Sequence, residues 1–185
     1  MNYLKIGSVG ISLIGIIVIA GGFAGLAMIE LEREQHAVYS DSGETVEFRA
    51  VQILEPGHTY LIVVSLEDTY SHTSQGYLAI VNGTSMIYID GVLAQDVDLY
   101  DREWREEDDT GVDAYDSTSF EFTPTSSTNV TVVGTLIYGE EWSVLIYRDL
   151  PADIDSRSGT QIVIVLVGMV VLIAGIGIYI KVRKS

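Results

Sequence analysis

The sequence predicts a membrane protein with an all-β outer domain, an antiparallel sandwich of jelly-roll-like type, between N- and C-terminal transmembrane helices. Three observations predict it. Two long uncharged apolar runs lie near the chain ends, charge is strictly segregated between them, and the middle consists of short alternating apolar stretches broken by turn residues.

Residues 1–5 form a short tail carrying Lys5, and residues 6–29, IGSVGISLIGIIVIAGGFAGLAMI, follow without a single charge. Near the other end, residues 162–180, IVIVLVGMVVLIAGIGIYI, repeat the pattern within a segment 158–180 that joins linker to helix, and 181–185 close the chain. At about 1.5 Å of rise per residue, either run crosses a hydrocarbon core about 30 Å thick. A cleaved signal peptide is the competing reading of the first run, with Gly25-Leu26-Ala27 offering small residues for cleavage. Its apolar core exceeds the usual length of about 7–15 residues, so a retained helix is expected.

All 26 acidic residues lie between Glu30 and Asp155, against six arginines, so residues 30–157 carry a net charge of −20. The remaining cations, Lys5, Lys181, Arg183 and Lys184, all sit outside the helices. Under the positive-inside rule both tails are cytoplasmic and the acidic domain is extracytoplasmic. The same charge argues against a nucleic-acid partner. With no cysteine, thiolate metal sites, cysteine nucleophiles and disulfides are excluded together. A domain of this size buries a core without disulfides. Their absence, with an acidic and lysine-free exterior, points to a prokaryotic, archaeal surface in a salty medium.

Within the domain, TVEFRAVQIL (45–54) alternates through Val46, Phe48 and Ala50, then changes phase to Val51 and Ile53, as at a bulge. TYLIVVSL (59–66) is apolar on both faces and reads as a central strand. SFEFTP (119–124) places Phe120 and Phe122 on one face. Turns are expected at Glu55-Pro56-Gly57-His58, at Asn82-Gly83-Thr84-Ser85 between YLAIV and MIYID, and at Gly139-Glu140-Glu141 between NVTVVGTLIY and WSVLIYRDL. Seven or eight strands result, and PADIDSRSG (151–159) reads as a polar linker.

The stretch LYDREWREEDDTGVDAYD (99–116) holds eight acids around two tyrosines and one tryptophan. Its spacing suits a short helix capped by Asp98 and stopped by Gly111, with Tyr100 and Trp104 packing down and the pairs Asp98/Arg102 and Asp101/Arg105 four residues apart. Asp108, Asp109, Asp113 and Asp116 around Gly111 are the oxygen ligands a calcium ion would use, although the EF-hand spacing is absent. A solvated acidic loop is the plainer reading. His36, His58 and His72 stand singly, and no G-x-S-x-G, P-loop or H-E-x-x-H occurs, so an enzyme is not expected.

Two sequons, Asn82-Gly83-Thr84 and Asn129-Val130-Thr131, make Asn82 and Asn129 glycosylation candidates. In the first helix, Gly7, Gly10, Gly15, Gly21, Gly22 and Gly25 fall on one face, with Gly21 and Gly25 as G-x-x-x-G. Gly168 and Gly175 share a face of the second. The two helices of the chain are each other's nearest partners; a membrane-protein partner or a second copy is the functional alternative. The expected function is therefore an interaction or accessory subunit of a membrane or cell-surface assembly, bound to the lipid bilayer and without a cofactor. The alternative is a ligand-binding surface domain for calcium or a glycan.

Overall fold

The computed structural model describes residues 2–69, 71–73, 76–105 and 112–184. It divides into two compact units, a helical one (1–35 with 151–185) and a β unit (36–150). The helices are α1 (Asn2–His36) and α2 (Ile154–Lys184). Both are long and apolar enough to cross a membrane. Helix α2 begins at Ile154, so most of the expected linker 151–159 is helical: Ile154 is buried, and Asp155 sits in the first turn, where an acid complements the helix dipole.

The helices pack antiparallel along a seam with a strict 4-3 alternation on α1: Ser8, Ser12, Gly15, Ile19 and Gly22. A Cβ on Gly15 would meet the Leu172 backbone nitrogen at 2.6 Å, and one on Gly175 the Ser12 nitrogen at 2.7 Å. Gly168 faces Ile19, Gly22 faces Val165, and Gly25 faces Gln161. Such contacts bring the two backbones close, the usual service of small residues between membrane helices. The seam selects only part of the expected glycine face. At Gly7, Gly10 and Gly21 no atom lies within 4 Å of where a Cβ would stand. A repeat averaging 3.5 residues runs beside these three rather than through them. The seam ends in two ion pairs: Arg157 grips both carboxylate oxygens of Glu32, and Arg33 lies 2.6 Å from Asp155.

Among the described residues the β unit contains nine strands, β1 (Ala37–Gly43), β2 (Glu47–Leu54), β3 (Tyr60–Asp68), β4 (Ser71–Thr73), β5 (Gly76–Ile89), β6 (Val92–Arg105), β7 (Ala114–Phe122), β8 (Thr128–Tyr138) and β9 (Glu141–Arg148). Two antiparallel sheets form a sandwich in jelly-roll order, β1-β9-β3-β7 against β2-β8-β5-β6, with short β4 added to the β5 edge. The central strand β3 pairs β7 and β9 on its two sides, as its two apolar faces require. The inner faces supply the core, including Phe48, Leu54, Ile62, Val64, Leu66, Val81, Ile87, Leu99, Val132, Trp142 and Ile146. Phe48 stacks on Trp142 across the sandwich, centroids 4.8 Å apart. Gly134, opposite Phe48 on β8, leaves room for that ring: a Cβ there would lie 2.2 Å from it.

Three local expectations are corrected. Strand β5 runs unbroken through Asn82-Gly83-Thr84-Ser85, and the hairpin turn lies at Asp90-Gly91, both with positive φ (48° and 80°) as a two-residue turn of type I′ needs. Gly83 is there for contact rather than turning, since a Cβ would collide with the Thr135 carbonyl oxygen at 2.1 Å. Strand β2 keeps one phase, with no bulge against β8; Gln52 holds the inner position between Ala50 and Leu54, while Val51 and Ile53 face outward. Residues 98–105 are strand, not helix, because every residue of β6 from Gln95 to Arg105 is paired with β5.

Trp142→Ala should lower the unfolding free energy by about 3–5 kcal/mol, measured by urea denaturation of the full chain in detergent, with Trp104→Ala changing it by under about 1 kcal/mol. For the helices, Gly15→Leu should destabilise the pair by about 1–3 kcal/mol through overpacking, whereas Gly10→Leu should leave thermal unfolding in detergent unchanged.

Candidate functional site

Alternation decides what β6 presents. Gln95, Val97, Leu99, Asp101 and Glu103 turn inward; Asp96, Asp98, Tyr100, Arg102 and Trp104 turn out. Tyr100 and Trp104 therefore do share one face, but it is the solvent face: they are 59% and 47% exposed and anchor nothing. The Asp98 and Arg102 side chains, four apart on a strand, stand about 13 Å from each other instead of one helical turn.

The inward acids of the same stretch have a structural task. The free edges of β6 and β7 face each other where the two sheets meet, and two aspartates close the gap reciprocally. Asp116 Oδ2 on β7 accepts the Tyr100 backbone N–H at 2.8 Å, and Asp101 Oδ2 on β6 accepts the Tyr115 N–H at 3.1 Å. Their second oxygens take the N–H of Ser117 and Arg102, each 2.8 Å away. Gln95 adds a bridge from β6 to Thr118 on β7 at 3.2 Å. Of the four calcium candidates, Asp116 is thus committed to backbone amides, and Asp113 is exposed, directly before the first residue of β7. Asp108 and Asp109 lie outside the described residues. Among the described residues, no group of three or more potential metal ligands converges.

The two outer faces of the sandwich differ in chemistry. That of β1-β9-β3-β7 is rich in serine, with Ser65 and Ser143 hydrogen-bonded at 2.7 Å. The face of β2-β8-β5-β6 carries aromatics. Asn82 at its centre is paired in register with Tyr138 of β8 on one side and Tyr100 of β6 on the other. Tyr138 is 60% exposed. The next outward positions along β5, Ile80 and Leu78, stand opposite Arg102 and Trp104. The result is an open patch three strands wide, of three rings, two aliphatic side chains, one amide and one guanidinium. Sequence reasoning had Tyr100 and Trp104 but pointed them into the core, and it missed Tyr138. A period-two reading from Gln95 through Trp104 would have turned Tyr100 and Trp104 outward, whereas Tyr138 joins them through a register shift between Asn82 and Gly83 that skips Ile137.

Asn82 is half-buried inside a strand paired on both sides, not at a hairpin tip. Asn129 is exposed near the start of β8, opposite Ile53 and beside the Asp90-Gly91 turn, where its N–H donates to Asp90 Oδ1 at 2.8 Å. His36 and His58 both lie at the chain-entry end of the domain. His36 Nδ1–H donates to the Arg148 carbonyl at 2.7 Å, and His58 Nδ1–H to Asp149 Oδ2 at 2.6 Å. Asp149, held at φ 51°, also accepts the Thr59 N–H at 2.9 Å. His72 belongs to β4.

No protein-family model matches the chain, and no curated protein does. Among solved structures it is similar to the CBM22-1 xylan-binding domain from Paenibacillus barcinonensis Xyn10C, at 8% identity and a TM-score of 0.29, covering 63% of this chain and 96% of that one. It is similar also to a chain of infectious bursal disease virus, Gx strain (12%, TM-score 0.29, 63% and 32% covered), and to the EclA C-terminal domain, a sugar-binding protein (14%, TM-score 0.24, 60% and 76%). Likeness at this level carries no argument about a ligand.

The Asp149 carboxyl is held below the ordinary value of 3.8, first by the Thr59 N–H and then by His58. A lowered value means its contribution to stability is complete above the ordinary carboxylate range and is lost as pH falls through the folded-state value. Carboxyl-carbon NMR should show Asp149 titrating below an ordinary aspartate, and Asp149→Asn should flatten the acid limb of the stability profile.

Proposed function

We propose that the chain is a two-pass membrane protein that holds its β domain outside the cell as a binding module for an uncharged saccharide. The single observation that carries this reading is the patch of Tyr138, Tyr100 and Trp104 around Asn82. Exposed aromatic rings combine a large flat apolar surface with few rotatable bonds, and they gather on surfaces that bind. A pyranose ring offers a C–H face to such a ring and hydroxyls to its rim, where Asn82, Arg102 and Asp98 supply donors and acceptors. The strongly acidic domain disfavours an anionic ligand, and two such domains repel each other face to face. Positive tails and an acidic, lysine-free domain support the orientation.

Neutral oligosaccharides titrated into the detergent-solubilised full chain, with the heat of binding as the readout, test the proposal. Trp104→Ala and Tyr100→Ala should each weaken binding about tenfold or more, since stacked rings of this kind contribute on the order of 1–3 kcal/mol. Ser117→Ala and Ser119→Ala on the opposite sheet should leave it unchanged. Failure of every neutral saccharide to bind would overturn the assignment. An accessory role keeps one observation in its favour, the open positions at Gly7, Gly10 and Gly21, where a further membrane helix could approach. A protein co-purifying in mild detergent and lost in Gly21→Leu would support that second reading.

A further inference from the structure

At the end of the same sheet face farthest from Trp104, a second patch has a different composition. Across four strands the outward row reads Val51, Thr131, Tyr88 and Leu93, and the next row begins Ile53, Asn129. Ile53 is 65% exposed, with Val51 and Leu93 about half exposed. A cluster of bare aliphatics on an otherwise acidic exterior calls for a cover. Its centre carries an acceptor for one. In a strand, residues two apart share a face, so Asn129 and Thr131 of Asn129-Val130-Thr131 both turn outward into this patch.

We infer that Asn129 bears an N-linked glycan whose first sugars lie over Ile53, Val51 and Leu93. In the transfer, the Asn129 side-chain amide nitrogen bonds to the anomeric carbon of a lipid-phosphate-linked oligosaccharide. The bond from that carbon to the phosphate oxygen breaks, the lipid phosphate leaves, and the amide proton is released. The backbone of Asn129 is fixed on both sides by Asp90, whose N–H donates to the Asn129 carbonyl at 2.8 Å, so the glycan root is rigid. Asn82 has the same tripeptide pattern but is half-buried between two paired strands within the aromatic patch, which stays open for ligand. The inference rests on the outward orientation of the domain and not on the saccharide site.

The test is mass spectrometry of the full chain purified from its own membranes. Because the domain lacks lysine, trypsin separates the sequons cleanly: residues 106–148 carry Asn129 and 50–102 carry Asn82. The 106–148 peptide should be heavier by a glycan, and the increment should vanish in Thr131→Val. Asn129→Gln should raise binding of a hydrophobic dye, and adding Ile53→Ser should reverse the rise; no change in dye binding would overturn the covering role. An unmodified 106–148 peptide overturns the glycan. The cysteine-free chain then separates the causes, since Ser126→Cys is its sole thiol. Labelling of that thiol in intact cells by a membrane-impermeant maleimide would mean that the glycan alone fails; protection of it would mean that the orientation fails with it.

Discussion

The constraint on which the β unit depends is two-residue alternation carried through strands as long as fourteen residues, reset only where the β5 pairings shift register, at Ile87/Tyr88 and at Asn82/Gly83. Each strand must keep its apolar set inward over its whole length, because a slip of one residue would send the entire set to solvent. Phe48 stacked on Trp142 pins the phase at the core, and two glycines make the phase possible where side chains would collide. Gly134 yields space to the Phe48 ring, and Gly83 lets β5 approach the Thr135 carbonyl. Once the inner face is fixed, the outer face follows without freedom: Tyr100, Trp104 and Asn82 point out because Leu99, Val81 and Ala79 point in.

The helical unit follows a different repeat under the same logic. A seam stepping four and three residues keeps Ser8, Ser12, Gly15, Ile19 and Gly22 on the partner side, and the carboxylate–guanidinium contacts at Glu32 and Asp155 extend the register beyond the apolar span. A bidentate arginine–carboxylate pair fixes orientation as well as distance. Glycine count alone does not locate the seam; its spacing does.

Much of this was legible in the sequence. The helices, the central strand, the strands around Phe120, Val132 and Val144, and the turns at Gly57 and Gly139 all read correctly from period and turn chemistry. The misreadings share a physical cause: two periods agreed locally. Tyr100 and Trp104, four apart, share a face in a helix and in a strand alike, so their spacing could not separate the two. Asn82-Gly83 carries the same dipeptide signal as a hairpin turn, and only the contact with Thr135, a residue more than fifty positions away, turns that glycine to another use. Gln52 on an inner face made Val51 and Ile53 look like the core set. The roles of Asp101 and Asp116 were out of reach, because a carboxylate closing a sheet edge depends on which strands become neighbours.

Strand order also has a consequence in time. The first strand pairs with the last, β1 with β9, and the second with the last but one, β2 with β8. Neither sheet can be completed while the chain is still being delivered, since its outer pairs await residues from 128 onward. Folds dominated by such distant pairings form slowly, because a long loop must be ordered before its contacts repay the lost entropy. During that interval β8 is an unpaired ribbon, open to any enzyme or chaperone that acts on extended chain. Because β9 lies between β1 and β3, its arrival completes that sheet on both sides at once, only a few residues before α2 begins.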